Sequence, residues 1–301
     1  MTHDVVIIGG GAAGLAGAVA LGRALRTVLV IDGGEPRNAP AAGVHNYLTR
    51  DGMPPAELAA AGRAEAEHYG AEFRTGQVRE VTGAIGDFRV ALADGSEARA
   101  RRIIVASGVR DVLPDIPGVA ERWGGTVLHC PYCHGWEARG TRIGVIATAG
   151  PAMSAMKGLL WSQWTDDLLL FLNDSFDPDA EQARQFGVRG VRTVAGKVEA
   201  VTDAGVRLAD GTVVARDHLV VASRVEARVD FLAPLGLKPV EHPMGVGTHL
   251  PVEDDMGRTS VPGVWAAGNV KDPAAVVISS ATAGLAAAAA INMELIQADV
   301  A

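Results

Sequence analysis

The sequence predicts an α/β fold from three observations near its beginning. Residues 5–8 are a short run of valine and isoleucine, which is typical of a strand buried on both faces of a parallel sheet. Glycines follow this run at once, and residues 15–25 can then form a helix. A second apolar run at 27–31 completes a strand, a turn, a helix and a strand, the order that alternating α/β folds repeat.

Length and composition exclude several classes of protein. A chain of 301 residues is long enough for two hydrophobic cores. Its 27 basic and 35 acidic residues give a net charge of −8, so we expect no nucleic-acid partner. Two cysteines are too few for a disulfide scaffold. The apolar runs are too short for a signal peptide or a bilayer span, so we expect a cytoplasmic protein without a membrane partner.

The chain partly repeats itself. The sequence Leu-Ala-Asp-Gly at 92–95 recurs at 208–211, and Val-Ala-Ser at 105–107 recurs at 221–223 with the same spacing. Each copy closes a segment that began with an apolar strand and a turn of small residues. This pattern favours two related halves over a chance recurrence of Asp-Gly turns.

Clusters of proline and glycine at 114–125 and 238–247 are typical of linkers between such halves. We therefore expect two Rossmann-like dinucleotide-binding domains, the second inserted into the first. The first domain would comprise residues 1–115 and 245–301, and the inserted domain residues 116–244.

Gly9, Gly11 and Gly14 fit the pattern G-x-G-x-x-G between the first strand and the first helix. Such glycines allow a tight turn, close approach of a pyrophosphate to the backbone, and tight packing of the helix on the strand. Asp32 ends the next strand and can accept a hydrogen bond from a ribose, which favours NAD or FAD over NADP; a purely structural turn is the alternative. The candidate cofactor contacts are Gly9, Gly11, Ala12, Ala13, Gly14, Asp32 and Gly33.

The corresponding turn in the second half has lost its leading glycines. Ala147 and Ala149 replace them, and a Cβ atom at Ala149 would stand where a pyrophosphate should touch the backbone. The stretch 173–177 after the next predicted strand is acidic, whereas the 2′-phosphate of NADPH requires arginine or lysine. We expect this half to lack a nucleotide, with retained NADH binding as the alternative.

Both cysteines, Cys130 and Cys133, lie in a Cys-Pro-Tyr-Cys-His segment. The C-x-x-C spacing allows a reversible disulfide and a thiolate of lowered pKa, as in redox catalysts. His134 can transfer a proton near neutral pH, and Glu137 can orient its ring. The alternatives are a c-type haem, which requires export, a zinc site, which requires about four ligands, and two inert buried thiols. We expect no metal site.

The segment 263–269 predicts a strand that ends at a glycine and Asn269. A helix follows, beginning near residues 276–280 and continuing through residue 290, and Val276 and Val277 are candidate cofactor contacts at its start. Its N-terminus would offer free amides and a positive dipole to a flavin pyrimidine ring. An ordinary buried alanine-rich helix is the alternative.

The glycine turn at 9–14, the C-x-x-C pair and the segment 263–269 occur in an order that resembles the low-molecular-weight thioredoxin reductase family of flavoproteins. The resemblance covers nearly the whole chain. It implies an FAD-binding domain with an inserted NAD(P)-binding-type domain, and FAD bound at the first glycine turn. It also implies a redox disulfide between Cys130 and Cys133 that faces the isoalloxazine ring, and a homodimer.

Three features depart from that family. The second glycine turn with its basic cluster is absent, and His134 stands where ordinary members have aspartate. Both departures resemble the dithiol oxidase branch, whose members form disulfides in small natural products such as gliotoxin and holomycin. Electrons in that branch pass from a substrate dithiol to the protein disulfide, then to FAD and oxygen. Asn269 stands where the family commonly has aspartate against the flavin ribityl chain, and it can still accept a hydrogen bond.

We therefore expect an FAD-dependent dithiol oxidase, with a small-molecule dithiol and molecular oxygen as its partners. An NAD(P)H-dependent disulfide reductase, with electrons flowing the other way, is the first alternative. A flavin-binding sensor without turnover is the second.

Overall fold

The computed structural model describes all 301 residues. They form two compact units, one of residues 1–111 with 225–301 and one of residues 112–224. The strands are β1 (Thr2–Ile8), β2 (Val28–Asp32), β3 (Glu72–Thr75), β4 (Val78–Ala84), β5 (Asp87–Leu92), β6 (Glu97–Val105), β7 (Val109–Val112), β8 (Val127–Leu128), β9 (Ile143–Ile146), β10 (Leu168–Phe171), β11 (Arg192–Val194), β12 (Val198–Thr202), β13 (Gly205–Leu208), β14 (Val213–Val214), β15 (His218–Val220), β16 (Arg224–Ala227), β17 (Val240–Glu241), β18 (Thr248–His249) and β19 (Val264–Ala266). The α-helices are α1 (Ala12–Arg23), α2 (Pro55–His68), α3 (Pro131–His134), α4 (Pro151–Trp161), α5 (Ala180–Arg189) and α6 (Val277–Asp299).

A seven-stranded sheet forms the centre of the first unit, in the order β3-β2-β1-β6-β5-β4 with β19 also paired to β6. β1 runs parallel to both β2 and β6. Val6 and Ile8 join a core with Phe88 of β5, whereas Val5 and Ile7 pack on the side of α1 and α6. Burial on both faces explains why this strand is continuously apolar.

Helices α1 and α6 pack closely because small residues line their contact. A Cβ atom at Gly284 would collide with the Ala13 carbonyl oxygen, and one at Gly17 would lie 3.3 Å from the Gly284 carbonyl oxygen. Length and composition alone would allow α6 to cross a bilayer. Its Ala287 and Ile291 side chains instead fill the core of the first unit, as those of a core helix do.

The second unit contains a five-stranded parallel sheet in the order β11-β10-β9-β15-β8. Helices α4 and α5 cover one face, and the small antiparallel sheet β12-β13-β14 covers the other. Because the strands are parallel, the carboxyl ends of β8 and β9 lie at the same edge. The cysteine segment follows β8 at this edge, and Ala147 follows β9. The predicted α/β class is confirmed.

The internal repeat corresponds to the same local structure in each unit. The Ser96 N–H donates to Asp94 Oδ1 at 2.9 Å, and the Thr212 N–H donates to Asp210 Oδ1 at 2.8 Å. Both Asp-Gly sequences therefore form turns closed by the aspartate side chain. One turn joins β5 to β6 and the other joins β13 to β14.

The boundaries between the units differ from those expected. They lie after residues 111 and 224, whereas the sequence placed them after 115 and 244. β16 pairs with β7, and Leu232 and Leu237 are buried in the core of the first unit. The proline and glycine cluster before residue 248 belongs to the hairpin β17–β18 and is not a linker. Because proline and glycine mark hairpins and linkers alike, the sequence could not distinguish the two.

Candidate active site

Two glycines of the turn after β1 are required by the fold itself. Gly9 has a φ of +110°, and a Cβ atom there would collide with the Ala106 carbonyl oxygen. A Cβ atom at Gly14 would collide with the Gly9 carbonyl oxygen. Both contacts are with backbone atoms, so the turn cannot relieve them by rotating a side chain.

Gly11 is different, because its backbone is extended and a Cβ atom there would meet no protein atom within 4 Å. It is the N-cap of α1, where no side chain caps the helix. The first turn, which begins with Ala12 and Ala13, contains no acidic residue. Unpaired N–H groups and the positive end of the helix dipole suit a phosphate, and the space at Gly11 lets one approach the backbone.

Asp32 ends β2 beside this turn. Its Oδ1 accepts a hydrogen bond from the Gly10 N–H at 3.0 Å, which fixes the carboxylate and leaves Oδ2 to accept from a ribose hydroxyl. A Cβ atom at Gly33 would lie 2.5 Å from Gln77 Nε2, so glycine allows the chain to pass this amide closely. Sequence reasoning did not single out Gln77.

Asn269 organises the loop before the last helix. Its Nδ2 donates to three carbonyl oxygens between residues 272 and 275, at 2.8 to 3.3 Å, while its Oδ1 accepts no hydrogen bond from the protein. Val276 is the N-cap of α6, and Val277 is its first residue. No side chain caps this helix and its first turn has no acidic residue, as in α1. Helix α5, by contrast, closes its N-terminus with a capping box of its own residues.

The turn after β9 is closed by side chains. Thr148 Oγ1 donates to the Ala222 carbonyl oxygen at 3.2 Å and accepts from the Ala222 N–H at 2.9 Å, which ties the turn to the residues that follow β15. Helix α4 then begins at Pro151, which has no N–H to offer a phosphate. Ser154 Oγ donates to the Ala149 carbonyl oxygen at 3.1 Å and further fixes the turn.

Asn173 closes the same turn from the end of β10. Its Nδ2 donates to the Ala147 carbonyl oxygen at 3.1 Å, and its Oδ1 accepts from the Val198 N–H at 2.9 Å. Asn173 has a φ of +52°, a left-handed conformation that asparagine tolerates. A side chain at the end of this strand would contact the ribose of a bound nucleotide in an ordinary dinucleotide fold, but here it holds the backbone of the protein.

The cysteine pair lies on the loop after β8. Cys130 is the N-cap of the four-residue helix α3, and the Cys133 thiol donates to Cys130 Sγ across 2.7 Å. The hydrogen bond from Cys133 lowers the pKa of the Cys130 thiol to about 7, and burial opposes this shift. The N–H groups of Cys133 and Tyr132 and the charge of Lys157 make smaller contributions in the same direction, which that value includes. The lowered pKa favours the nucleophilic thiolate form of Cys130 near neutral pH.

Comparison with known proteins identifies the family. Residues 3–156 match the profile of the pyridine nucleotide-disulphide oxidoreductases. The chain belongs to this family. It is 30% identical to thioredoxin reductase sirT of Leptosphaeria maculans, over 99% of this chain and 96% of that protein. It is 33% identical to thioredoxin reductase tcpT of Claviceps purpurea (strain 20.1), over 88% of this chain and 86% of that protein. The chain also matches the crystal structure of HlmI, with 44% sequence identity and a TM-score of 0.91. The match covers 99% of this chain and 94% of that chain.

This pyridine nucleotide-disulphide oxidoreductase is a flavin-dependent thiol–disulfide oxidoreductase of the thioredoxin reductase type, and its cofactor is FAD. The predicted family resemblance and cofactor are confirmed. The residues of the first unit fit FAD, because the space at Gly11 and the free amides of α1 suit its pyrophosphate, and Asp32 suits its ribose. The contacts expected from Asn269, Val276 and Val277 stay predictions.

His134 and Glu137, the other residues predicted to act in this oxidoreductase, lie next to the thiols. His134 is half-buried at the end of α3, and its N–H donates to the Cys130 carbonyl oxygen at 3.2 Å. Glu137 is exposed three residues later. Their roles in proton transfer and in orienting the imidazole stay predictions. All four candidate catalytic residues belong to the second unit, and all candidate cofactor contacts belong to the first.

Sequence reasoning missed Lys157 of α4, which acts on the Cys130 thiol. A signal was present, since Lys157 is the only charged residue between Arg142 and Asp166. The hydrogen bonds of Thr148 and Asn173 carry no comparable signal. They join segments that are distant in the sequence, so only the fold shows them.

Proposed function

We propose that this flavoenzyme is a dithiol oxidase, which forms a disulfide in a small-molecule dithiol while molecular oxygen accepts the electrons. The observation that carries the proposal is the turn after β9, where alanines replace the leading glycines and side chains tie the turn to other segments of the unit. An enzyme that takes electrons from NADH or NADPH needs an open turn whose backbone a pyrophosphate can approach. Here the side chains of Thr148 and Asn173 already bond the backbone around that turn, and Pro151 lacks a donor.

The acidic stretch after β10 also supports a thiol, and not NADPH, as the electron donor. Residues 173–177 after β10 include two aspartates and no arginine or lysine. The 2′-phosphate of NADPH would be repelled at this position, where a nucleotide-binding member would need cations. A thiol substrate needs no such cluster.

The cysteine pair would then receive the electrons. A substrate thiolate attacks Cys130 Sγ of the protein disulfide, the bond to Cys133 breaks, and Cys133 leaves as a thiolate. The second substrate thiolate attacks the substrate sulfur of this mixed disulfide, so the product disulfide forms and Cys130 leaves as a thiolate. Two electrons have moved from the substrate to the protein. His134, half-buried beside the thiols, takes the substrate protons one at a time and passes them to water.

Bound FAD supplies the two-electron acceptor that returns the protein pair to its disulfide, and oxygen takes the electrons from it. Residues of the first unit would hold the FAD. The amides of α1 at Gly11 would bind its pyrophosphate, and Asp32 would bind its ribose.

The surface beside the cysteines suits an apolar organic dithiol. Tyr132 and Trp136 flank Cys133, and their side chains are 62% and 67% exposed. Exposed aromatic rings next to a reactive centre offer contact area for an apolar or aromatic ligand. They support an apolar organic dithiol over a charged one.

We further propose that the protein is a cytoplasmic homodimer. Helix α6 exposes Ile278, Leu285, Met293 and Ile296 along one face, and a second copy of the chain would cover this apolar row. Light scattering of the holoprotein should give twice the chain mass of 31.1 kDa. A mass of one chain would contradict the dimer.

Two measurements on the holoprotein test the oxidase. We expect dithiothreitol to drive oxygen uptake that is lost in Cys130→Ser, and we expect NADPH or NADH to leave the flavin absorbance unchanged under anaerobic conditions. Rapid bleaching by either nucleotide would overturn the proposal in favour of the NAD(P)H-dependent reductase. Uptake that survives Cys130→Ser would exclude the route through the cysteine pair, and no uptake with any dithiol would indicate a sensor.

A further inference from the structure

A groove between α4 and α5 lies against α3, the short helix of the cysteine loop, and the reaction described above does not use it. Its volume is about 620 Å³, within the range of about 300–1,000 Å³ that small-molecule sites occupy. The apolar side chains that line it are those of Tyr132, Leu159, Leu160, Trp164 and Val188. All of them belong to the second unit, so this unit alone forms the groove.

Contacts of two aromatic rings place one end of the groove at the cysteine loop. Tyr132 lies on α3 directly before Cys133, whose thiol donates to Cys130 Sγ across 2.7 Å. The Tyr132 ring meets the Trp164 ring edge to face, with centroids 5.9 Å apart. Trp164 also packs on the backbone of the loop, since a Cβ atom at Gly135 would lie 2.7 Å from Trp164 Cε2. A molecule in the groove therefore lies next to the residue that separates the two cysteines.

The charge in the groove is positive. Its lining includes Arg184 and Arg189 and no acidic residue. Arg184 is neutralised by Glu181, whose carboxylate accepts from Nε at 2.8 Å and from Nη2 at 2.6 Å. Arg189 has no carboxylate partner. Its Nε donates to Ser162 Oγ and its Nη2 donates to Gln163 Oε1, both at 3.0 Å.

These two bonds tie the end of α5 to the end of α4, but they do not saturate Arg189. A guanidinium has five N–H donors, and the two bonds use two of them. Both N–H groups of Nη1 and one of Nη2 remain without a protein acceptor. An apolar groove with one unsatisfied cation suits a ligand that is apolar along its length and carries one anionic group.

We propose that this groove holds the non-reacting end of the dithiol substrate, and that Arg189 selects substrates whose apolar chain ends in a carboxylate. A carboxylate matches the free edge of a guanidinium, because it can accept two parallel N–H bonds. The apolar chain would lie along Leu160 and Val188, and the thiols would reach the cysteines past Tyr132. The carboxylate is remote from the thiols, so the part of the substrate beside the cysteines stays apolar.

The assignment of the groove to a substrate rests on the proposed function, whereas carboxylate binding at Arg189 does not. The test therefore uses dihydrolipoate and dihydrolipoamide, which carry the same dithiol on the same hydrocarbon chain and differ only in a carboxylate or a carboxamide. Oxygen uptake by the holoprotein gives kcat and KM for each. We expect the wild type to prefer dihydrolipoate about fivefold in kcat/KM, a modest factor because Arg189 is exposed and water screens its charge.

Arg189→Gln should reduce this preference to less than about twofold. The change should appear in KM and not in kcat, because the carboxylate is bound equally in the ground state and the transition state. Arg189→Lys keeps the charge without the planar fork and should retain a preference of about two- to threefold. Lys197→Gln removes a charge from an exposed position of the same unit outside the groove, and it should keep the full preference.

Should Arg189→Gln fail to yield folded holoprotein, Val188→Asp is measured in its place. Val188 is 74% exposed, so the protein should tolerate the substitution. The added carboxylate repels that of dihydrolipoate, so the preference should turn towards dihydrolipoamide.

Binding of the products gives a readout without turnover. Lipoate and lipoamide are the corresponding cyclic disulfides, and calorimetric titration of the oxidised holoprotein measures the affinity for each. We expect lipoate to bind the wild type about fivefold more tightly than lipoamide, and Arg189→Gln to bind the two alike. Equal affinities in the wild type, or a preference that survives Arg189→Gln, would overturn the role of Arg189.

The two readouts separate failure of the groove from failure of the proposed function. A protein that oxidises neither dithiol would lose the proposed function and, with it, the assignment of the groove to a substrate. It would still bind lipoate through Arg189. A protein that oxidises both dithiols equally well, and binds both products equally well, would keep the proposed function and lose the groove.

Discussion

The turns that follow β1 and β9 each join a parallel strand to a helix, but they differ in which residues fix their backbone. In the first, Gly9 and Gly14 allow the backbone to close on itself, and Gly11 leaves space that no protein atom fills. In the second, Thr148 bonds the backbone of Ala222 and Asn173 bonds the Ala147 carbonyl oxygen, so side chains tie the turn to other segments of the same unit. Glycines shape the first turn, whereas side chains that bond protein backbone fix the second.

The chemistry of the two units differs in the same sense. The first unit offers a glycine-rich turn and a fixed carboxylate, which suit FAD. The second unit carries the cysteine loop after β8, at the carboxyl edge of its parallel sheet. Four substitutions test this difference between the units.

The largest effect should come from Gly14→Ala in the first turn. Its Cβ atom would collide with a backbone carbonyl oxygen, and we expect a loss of about 3 kcal/mol in the free energy of unfolding together with loss of bound FAD. Urea unfolding and flavin content measure both. The matched control is Gly150→Ala in the second turn, where a Cβ atom meets no atom within 4 Å. Equal stability of the two variants would contradict the requirement for glycine at position 14.

Gly11→Ala separates cofactor binding from folding. Its backbone conformation suits any residue and the space is open, so the free energy of unfolding of the apoprotein should change by less than about 1 kcal/mol. Affinity for FAD should fall about 100-fold, because the methyl group displaces the pyrophosphate from the amides. Titration of the apoprotein with FAD, followed by flavin fluorescence, measures this. Unaltered affinity for FAD would show that the pyrophosphate does not bind at Gly11.

Cys133→Ala tests the thiol chemistry of the second unit. The hydrogen bond from Cys133 is the largest influence that lowers the Cys130 pKa, so its removal should raise that pKa above about 7. Below the new pKa the thiolate fraction falls, and the alkylation rate of Cys130 at pH 7 should drop about tenfold. The rate is measured from pH 5 to 10, with Cys133→Ser as a control that keeps a donor. If the midpoint of this pH profile is the same in Cys133→Ala, groups other than Cys133 lower the pKa of Cys130.

Thr148→Val should have the smallest effect. It removes two hydrogen bonds to Ala222 while keeping the shape of the side chain, so the second unit should lose about 1–2 kcal/mol. Asn173 and Pro151 still close the turn, so NADPH should leave the flavin oxidised. Thr193→Val, at an exposed position of β11, is the control. Bleaching by NADPH in Thr148→Val would show that one residue alone keeps the nucleotide out.

Much of this architecture could be predicted from the sequence, because the informative residues are neighbours in the chain. The strand, glycine turn and helix at 5–25 and the Cys-x-x-Cys spacing are local patterns with a direct physical meaning. The alanines at 147 and 149 predicted a modified second turn for the same reason.

What the sequence did not reveal depends on contacts between distant segments. Thr148 meets Ala222, and Asn173 meets both Ala147 and Val198, only once the parallel sheet has aligned their strands. Lys157 of α4 lowers the pKa of the Cys130 thiol although the two residues belong to different elements. The boundary at 225 likewise follows from the pairing of β16 with β7.

The contact between α1 and α6 has a consequence for synthesis. Ala13 of α1 packs on Gly284 of α6, so the core of the first unit joins two segments, 1–111 and 225–301, that are synthesised on either side of the second unit. The thiol-bearing unit, 112–224, is a continuous segment that emerges entirely before α6. A nascent chain can therefore complete its redox unit early.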